Sequence, residues 1–293
     1  MRLRMPQGGP WVTLRDHLLD RIPLPSSTID AMLGAGEFVA ADGSPVPADS
    51  PFVPRSVVWV HRQLPDEPPV PFELPILYRD ERIVVVDKPH FLATTPRGRH
   101  LRETVLARAR VQLGLPRLAA AHRLDRLTAG VLLLTTEQRW RGPYQQLFAC
   151  GQARKVYLAT APVRPDLELP TTVRVHLAKP HGQLQAAVVP GRPPNSQTRV
   201  ELVAADPQTG LGRYRLTPTT GRTHQLRAHL AWLGIPLFGD PLYPDVRSVS
   251  ADDFSSPLGL VAARLAFRDP IDGEERDFTS SRLPAPWQVG AQF

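Results

Sequence analysis

The sequence predicts an α+β fold: a mixed, mainly antiparallel sheet with flanking helices and loops, preceded by a small N-terminal α/β appendage. Three observations predict it. Many short apolar runs have strand character, few helical segments separate them, and strands and helices do not alternate regularly as in a doubly wound sheet. The 293 residues, of which 42% are hydrophobic, suffice for one domain of ordinary size with a sizeable core and a small appendage.

The N-terminal appendage is expected over residues 1–62. Residues 14–22 have the spacing of a short amphipathic helix, and residues 26–28 provide hydroxyl side chains that cap a second helix over 29–33. Val57–Val60 has the composition of a strand. Two short helices followed by short strands indicate a small module of its own.

A proline-rich segment over 63–75 predicts a stiff, extended linker, so the main domain is expected over 76–293. Within that domain, helices are expected over 102–113, 138–149 and 223–233. Strands are expected over 83–86, 131–135, 156–161, 173–177, 183–189, 198–204, 213–217 and 261–267.

The positive charge of the chain is unevenly distributed. The net charge is +7, but residues 1–75 carry −3 and residues 97–154 alone carry +8. Of the 35 basic residues 32 are arginines, whose planar guanidinium binds phosphate through two hydrogen bonds. Such a basic region indicates a polyanionic partner, most often nucleic acid. A solvated basic face without a ligand is the alternative.

Several classes of protein are disfavoured by what the sequence lacks. It has no run of 18 apolar residues, so no membrane span is expected, and its first residues do not form a signal-peptide pattern. Cys150 is the only cysteine, which excludes an intramolecular disulfide and a zinc site built from cysteines. His224 and His229 are five positions apart, so they do not form a metal-binding helical pair. A cytoplasmic protein without a metal is expected.

Residues 122–130 contain the most informative motif, HRLDRLTAG, immediately before an apolar strand. Asp125 lies between Arg123 and Arg126, and neighbouring guanidinium groups favour an ionised carboxylate. An ionised carboxylate can act as a nucleophile or a base. An isolated aspartate in such a position is more often a turn residue or an ion-pair partner, here of Arg126, than a catalytic group.

The motif resembles the HRLD-x-x-TSG signature of the RluA-type pseudouridine synthases, and the resemblance covers most of residues 76–293. Three further motifs occur in the family's order, together with its opening strand. They are the strand and turn over 76–89 that end in VVDKP, KVYLA at 155–159, TGRTHQLRAHL at 220–230, and GIPLFGD at 234–240 followed by Tyr243.

The resemblance implies a pseudouridine synthase fold and the isomerisation of uridines in structured RNA. It implies that Asp125 is the catalytic residue, that Tyr157 stacks on the target base and assists a proton transfer, and that Arg227 forms the ion pair that holds Asp125. Leu226 is expected to form an apolar wall for the base. The reaction gains and loses no atoms and needs no redox step, so no cofactor is expected.

RNA is the expected partner, with large-subunit 23S ribosomal RNA preferred over tRNA, and the protein is expected to act as a monomer. Five arginines are expected to contact the RNA: Arg97, Arg99, Arg123, Arg126 and Arg222.

Two departures from the family pattern indicate a divergent subgroup. Ala129 stands where the family usually has serine, and residues 94–99 replace a histidine-containing turn. The N-terminal module resembles the family's small RNA-binding domain, but its net charge is negative, which suggests a degenerate form.

Two other functions are consistent with parts of the sequence. A catalytically inactive RNA-binding protein would keep the basic face without needing Asp125. A glycosidase or nucleosidase would need a second acid opposite Asp125, and the nearest acid beyond the motif is Glu137.

Overall fold

The computed structural model describes residues 2–60, 67–98 and 100–287. Its internal contacts divide the chain into two compact units, the first ending at Asp66 and the second beginning at Glu67. The first part of the predicted linker, 63–66, lies outside the described residues.

The first unit is a three-stranded antiparallel sheet with two helices. In chain order its elements are β1 (Arg2–Arg4), α1 (Leu14–Arg21), α2 (Ser26–Gly34), β2 (Phe38–Val39) and β3 (Val57–Val60), and the strand order is β1-β3-β2. Thr13 and Asp16 form a reciprocal capping box that starts α1. Apolar residues from both helices and all three strands form one small core.

The second unit includes the remainder of the proline-rich segment, residues 67–75. Val70 and Leu74 are buried in the core of this unit, and the Val70 N–H donates to the Glu103 carboxylate (2.7 Å). Because these apolar residues occur among the prolines, the segment packs against the domain.

The second unit contains all the remaining helices and strands. They are β4 (Ile76–Arg79), β5 (Ile83–Lys88), α3 (Val105–Leu113), β6 (Ala119–Ala120), β7 (Ala129–Thr135), α4 (Gln138–Ala149), β8 (Arg154–Pro162), β9 (Thr171–Val175), β10 (Leu177–Ala178), β11 (Ala187–Val188), β12 (Ser196–Asp206), β13 (Leu211–Pro218), α5 (Gln225–Trp232), β14 (Leu260–Arg268) and β15 (Glu275–Thr279).

Ten of these strands form one sheet. Its main path runs β4-β5-β7-β14-β8-β13-β12-β9, with β6 paired to β7 and β15 paired to β14. The β7–β14 pair is parallel and the other pairs are antiparallel. Strands β10 and β11 form a separate hairpin. The predicted α+β fold with a mixed, mainly antiparallel sheet is confirmed.

The central strands are covered on both faces, which explains their continuous apolar sequences. On β5, Val84 and Val86 belong to the core that includes α3, whereas Ile83 and Val85 belong to the core that includes α4. A third core packs the β8, β12 and β13 strands against α5. Leu127 and Tyr157 pack against both the core that includes α3 and the core that includes α5.

Besides the short strands β1 and β6, which were not expected, two segments differ from the expected secondary structure. The strand expected over 183–189 is reduced to Ala187–Val188, because the Ala186 N–H and carbonyl both bind the Tyr243 hydroxyl (2.6 and 3.0 Å). Strand β15 was not expected, because its first three residues are charged (Glu275, Arg276 and Asp277) and none of its five residues is buried.

The parallel junction of β7 with β14 requires glycine at position 130. Gly130 has φ of +110°, and a Cβ at this position would lie 2.2 Å from the Ala262 carbonyl oxygen. We expect Gly130→Ala to lower the free energy of unfolding by about 3 kcal/mol or more, through backbone strain and overpacking. Urea unfolding followed by circular dichroism measures the loss.

Gly114→Ala is the matched control, because Gly114 also has positive φ (+66°) but nothing lies within 4 Å of its added Cβ. Its cost is expected to be about 1 kcal/mol. Equal losses in the two variants would contradict the steric account of Gly130.

Candidate active site

Asp125 lies in the loop 122–128 between β6 and β7, and side chains from residues 88–94 hold this loop. Lys88 is fully buried, and its ammonium donates to the carbonyls of Pro89 (2.9 Å), Leu92 (2.7 Å) and Arg126 (3.1 Å). Burial lowers the pKa of Lys88 well below its ordinary value. Three carbonyl acceptors nevertheless match all three N–H groups of the charged form, which offsets part of that effect.

Two further side chains from this segment bind the backbone of the loop. The His90 Nδ1–H donates a hydrogen bond to the Leu127 carbonyl (2.6 Å). The Thr94 hydroxyl donates to the Leu124 carbonyl (2.7 Å) and accepts from the Leu124 N–H (3.2 Å). The backbone on both sides of Asp125 is therefore fixed by buried or half-buried groups.

His122 opens the loop and has a structural role. Its Nε2 accepts the Leu133 N–H (3.1 Å), and its ring stacks on Phe148 with the ring centroids 4.2 Å apart. Burial lowers the pKa of His122 to about 3, so the ring is neutral at physiological pH.

Tyr157 lies near the middle of β8, opposite Leu216 of β13 and Ala262 of β14. Its ring packs against both the core that includes α3 and the core that includes α5. Burial raises the pKa of Tyr157, and the negative charge of Asp125 raises it further. The phenol therefore keeps its proton at neutral pH.

Arg227 on α5 faces two carboxylates. Its side chain is 3% exposed, and its Nη1 lies 3.8 Å from an oxygen of Asp125. The Asp125 side chain is 34% exposed. On its other side, Nε and Nη2 donate to both oxygens of the buried Asp240 (2.8 and 2.5 Å). Burial opposes the charge of Arg227, but the two carboxylates outweigh it and keep its pKa above the ordinary value.

A cavity of about 570 Å³ opens beside these residues, a volume within the roughly 300–1,000 Å³ typical of ligand sites. Seven of the site residues expected from the sequence line it: Arg97, Arg123, Asp125, Tyr157, Arg222, Leu226 and Arg227. Asp125 is the one carboxylate among the described residues that line the cavity.

Two of the expected RNA contacts are not among these lining residues. The Arg126 guanidinium lies over the Phe91 ring, 6.0 Å from its centroid, and Nη1 is 3.4 Å from the Phe91 carbonyl. Arg99 lies outside the described residues.

The loop before α5 is held by a buried polar network that sequence reasoning did not identify. The Gln225 side chain accepts from the Thr220 hydroxyl (2.7 Å) and the Arg222 N–H (3.0 Å), and donates to the Thr198 hydroxyl (3.0 Å). Its amide thus links the loop to β12 and fixes the start of the helix that carries Arg227.

His224 lies in the same loop with φ of +56°, a conformation rare for residues other than glycine, and lines the cavity. Its Nδ1 is 3.2 Å from the Tyr243 hydroxyl. Burial lowers the pKa of His224 to about 4, although Asp125 opposes the shift. His224 and Tyr243 both belong to motifs found in the sequence, but no sequence signal predicted the contact between them.

The geometry disfavours a hydrolase with paired carboxylates. Glu137 precedes α4 and forms ion pairs with Arg117 (3.7 Å) and Arg139 (3.3 Å), and it does not line the cavity. Within the described ranges, no group of three or more His, Cys, Asp or Glu side chains is arranged to hold a metal ion. The described helices are all too short or too polar to cross a membrane.

Comparison with known proteins identifies the family and the fold. The family model described as RNA pseudouridylate synthase matches residues 82–232. An RNA pseudouridine synthase of Synechocystis is 34% identical over 211 residues, which are 70% of each chain. The dual-specificity RNA pseudouridine synthase RluA of Salmonella typhi is 31% identical over 224 residues, covering 74% of this chain and 96% of the relative.

A solved structure, human RNA pseudouridylate synthase domain containing 1, has the same fold. It superposes with a TM-score of 0.58 at 24% identity and covers 74% of this chain and 86% of that chain. The family model and the relatives define the protein as a pseudouridine synthase, an isomerase that acts on RNA. Within that class, the chain belongs to the RluA family.

Proposed function

We propose that the protein isomerises specific uridines in structured RNA by base flipping, with Asp125 as its single catalytic carboxylate. The observation that carries this proposal is the convergence of Asp125, Tyr157 and Arg227, from three separate segments, on one cavity. A lone carboxylate suits an isomerisation, because the glycosidic bond is broken without a second acid to activate water.

The residues of the cavity suit the steps of this reaction. The bond from the uracil N1 to the sugar C1′ breaks, the base turns, and C5 bonds to C1′ while its proton is lost and N1 gains one. Asp125 acts on the nucleotide, Arg227 holds Asp125, and Tyr157 and Leu226 contact the detached base. Because Tyr157 keeps its own proton, it serves as a stacking surface and hydrogen-bond donor.

The target base leaves its stack at a cost of roughly a few kcal/mol, which contacts with the RNA backbone must offset. Arg97, Arg123 and Arg222 are exposed side chains around the cavity. Of these, Arg222 also donates to the Asn195 carbonyl (3.1 Å). We infer that these arginines bind the phosphates on either side of the flipped nucleotide.

This inference predicts a weaker salt dependence when two of the arginines are removed. We expect the double variant Arg97→Ala/Arg123→Ala to reduce the slope of log K against log salt concentration by about one to two, since each phosphate contact contributes about 0.7–0.9. Filter binding of labelled RNA at several salt concentrations measures the slope.

The control for this experiment is Arg264→Ala, because Arg264 is an exposed arginine of β14 that pairs with Asp277 and does not line the cavity. Its slope is expected to equal that of the wild type. A double variant with the wild-type slope would contradict the phosphate contacts.

For the target we propose 23S ribosomal RNA in preference to tRNA, with the protein acting as a monomer in the cytoplasm. The name of the RluA relatives describes them as dual-specificity enzymes, so both RNAs belong in the test. The test incubates the protein with [5-³H]uridine-labelled 23S rRNA or tRNA and measures tritium released into water. Release from rRNA supports the proposal, whereas binding without release from either RNA favours the inactive RNA-binding alternative.

A further inference from the structure

A chain of three charged groups runs from the cavity into the protein: Asp125, Arg227 and Asp240. Asp240 follows Gly239 in the turn after α5, and its side chain is fully buried. Its two oxygens accept from Nε and Nη2 of Arg227 and from the N–H groups of Leu242 (2.8 Å) and Tyr243 (3.2 Å). The hydrogen-bonding capacity of this carboxylate is thus used without any contact to the cavity.

Arg227 is held from the side opposite Asp125. Its guanidinium is bound by the fork to Asp240, and it lies 5.4 Å from the centroid of the Tyr243 ring. The Tyr243 hydroxyl is in turn bound to the Ala186 N–H and carbonyl. A guanidinium held at both these points is restrained from moving closer to Asp125.

The two ion pairs of Arg227 are unequal. The pair with Asp240 has hydrogen-bond length, whereas the Nη1 of Arg227 remains 3.8 Å from Asp125. A charge-assisted hydrogen bond to a carboxylate measures about 2.7–2.9 Å, so Asp125 is about 1 Å short of a tight pair. Its oxygens are therefore oriented by Arg227 without being covered by it.

We propose that Asp240 is a positioning residue for the isomerisation: it fixes Arg227 and offsets its charge, so that Asp125 is oriented yet free to react. The inference rests on the proposed function of Asp125. Without Asp240, the full charge of a mobile guanidinium would be attracted to Asp125 and would close into a tight pair with it.

The first test is Asp240→Asn, which keeps the shape of the side chain but removes its charge and one acceptor. We expect kcat to fall about 100-fold with KM for RNA unchanged, because a displacement of about 1 Å at the reacting group costs about that much. We also expect the acid limb of the pH–rate profile to move to lower pH. A variant with wild-type kcat and an unmoved acid limb overturns the proposal.

Because His224 and Tyr243 also interact with Asp240 through charge, the shift is assigned to Arg227 only if Asp240→Asn causes no further shift in a protein that already carries Arg227→Gln. The titratable groups that interact with Asp125 through charge are Lys88, Tyr157, Lys179, Arg227, His224 and Tyr243.

Asp269→Asn is the matched control for a merely structural effect. Asp269 is also a fully buried carboxylate, bound to the Tyr144 hydroxyl (2.8 Å) and within 3.7 Å of Arg82, but neither of these two partners lines the cavity as Arg227 does. We expect it to lower stability and leave the acid limb in place. An equal shift of the limb in both variants would overturn the specific role of Asp240.

A double variant keeps the proposal testable if Asp240→Asn does not fold. Asp240→Asn/Arg227→Gln replaces the buried ion pair with two neutral amides. If Asp240 acts through Arg227, the double variant has the same turnover as Arg227→Gln. A further tenfold loss in the double variant shows that Asp240 acts by another route and overturns the proposal.

A readout without RNA separates this inference from the proposed function. In ¹H–¹⁵N spectra, the Arg227 Nε–H is expected to exchange slowly with water in the wild type and rapidly in Asp240→Asn. Absence of tritium release from the wild type would refute the proposed function alone. If the Arg227 Nε–H exchanges at the same rate in the wild type and in Asp240→Asn, Asp240 does not fix Arg227. This conclusion does not depend on the activity of either protein.

Discussion

Replacing Asp125 with asparagine is expected to lower pseudouridine formation by at least about 10³-fold, the scale on which removal of a nucleophilic or basic residue acts. Asparagine keeps the shape of the side chain but cannot act as the carboxylate. The variant should remain folded, because Asp125 is 34% exposed and Arg227 keeps its tighter pair with Asp240. Tritium release measures turnover, and filter binding is expected to show wild-type affinity for RNA.

Glu137→Gln is the control for this experiment, since Glu137 is the nearest acid after the motif and does not line the cavity. It is expected to retain wild-type turnover. Residual activity of Asp125→Asn within tenfold of the wild type would contradict the role of Asp125, provided that the variant is folded.

Replacing Arg227 with methionine is expected to affect stability and turnover together. The substitution leaves the fully buried Asp240 without its cation, and breaking a buried ion pair in this way costs about 3–5 kcal/mol. It also removes the group that orients Asp125. Urea unfolding measures the loss of stability, and tritium release at a temperature where the variant is folded measures the loss of turnover.

Arg264→Met is the matched control, because Arg264 also pairs with an aspartate, Asp277, but both side chains are about half exposed. An exposed pair of this kind contributes about 0–1 kcal/mol, so the control is expected to lose little stability. If Arg227→Met loses no more stability than this control, the buried pair of Arg227 and Asp240 does not contribute to the free energy of unfolding as predicted.

The sequence predicts much of the fold because its signals are local. Apolar runs such as 131–135 identify strands that are buried on both faces, and the covering helices α3 and α4 follow from helical spacing. The prediction of a full strand over 183–189 was wrong because of a tertiary contact. The hydroxyl of Tyr243, distant in sequence, takes the backbone groups of Ala186 that a strand would use.

Asp125, Tyr157 and Arg227 are found from the sequence through motifs, and the structure brings all three to one cavity. The pairing of Arg227 with Asp240 was not predicted, because no local pattern links residues of a helix and the turn that follows it. Conversely, Arg126 adjoins Asp125 in sequence, but its guanidinium lies on the Phe91 ring.

The most direct test of a single-carboxylate isomerisation is the nucleoside balance of the reaction. RNA treated with the wild-type protein is digested to nucleosides and analysed by liquid chromatography with mass spectrometry. The mechanism predicts one pseudouridine for each uridine lost and no free uracil. Free uracil in proportion to the uridine lost would show hydrolysis of the glycosidic bond and would contradict it.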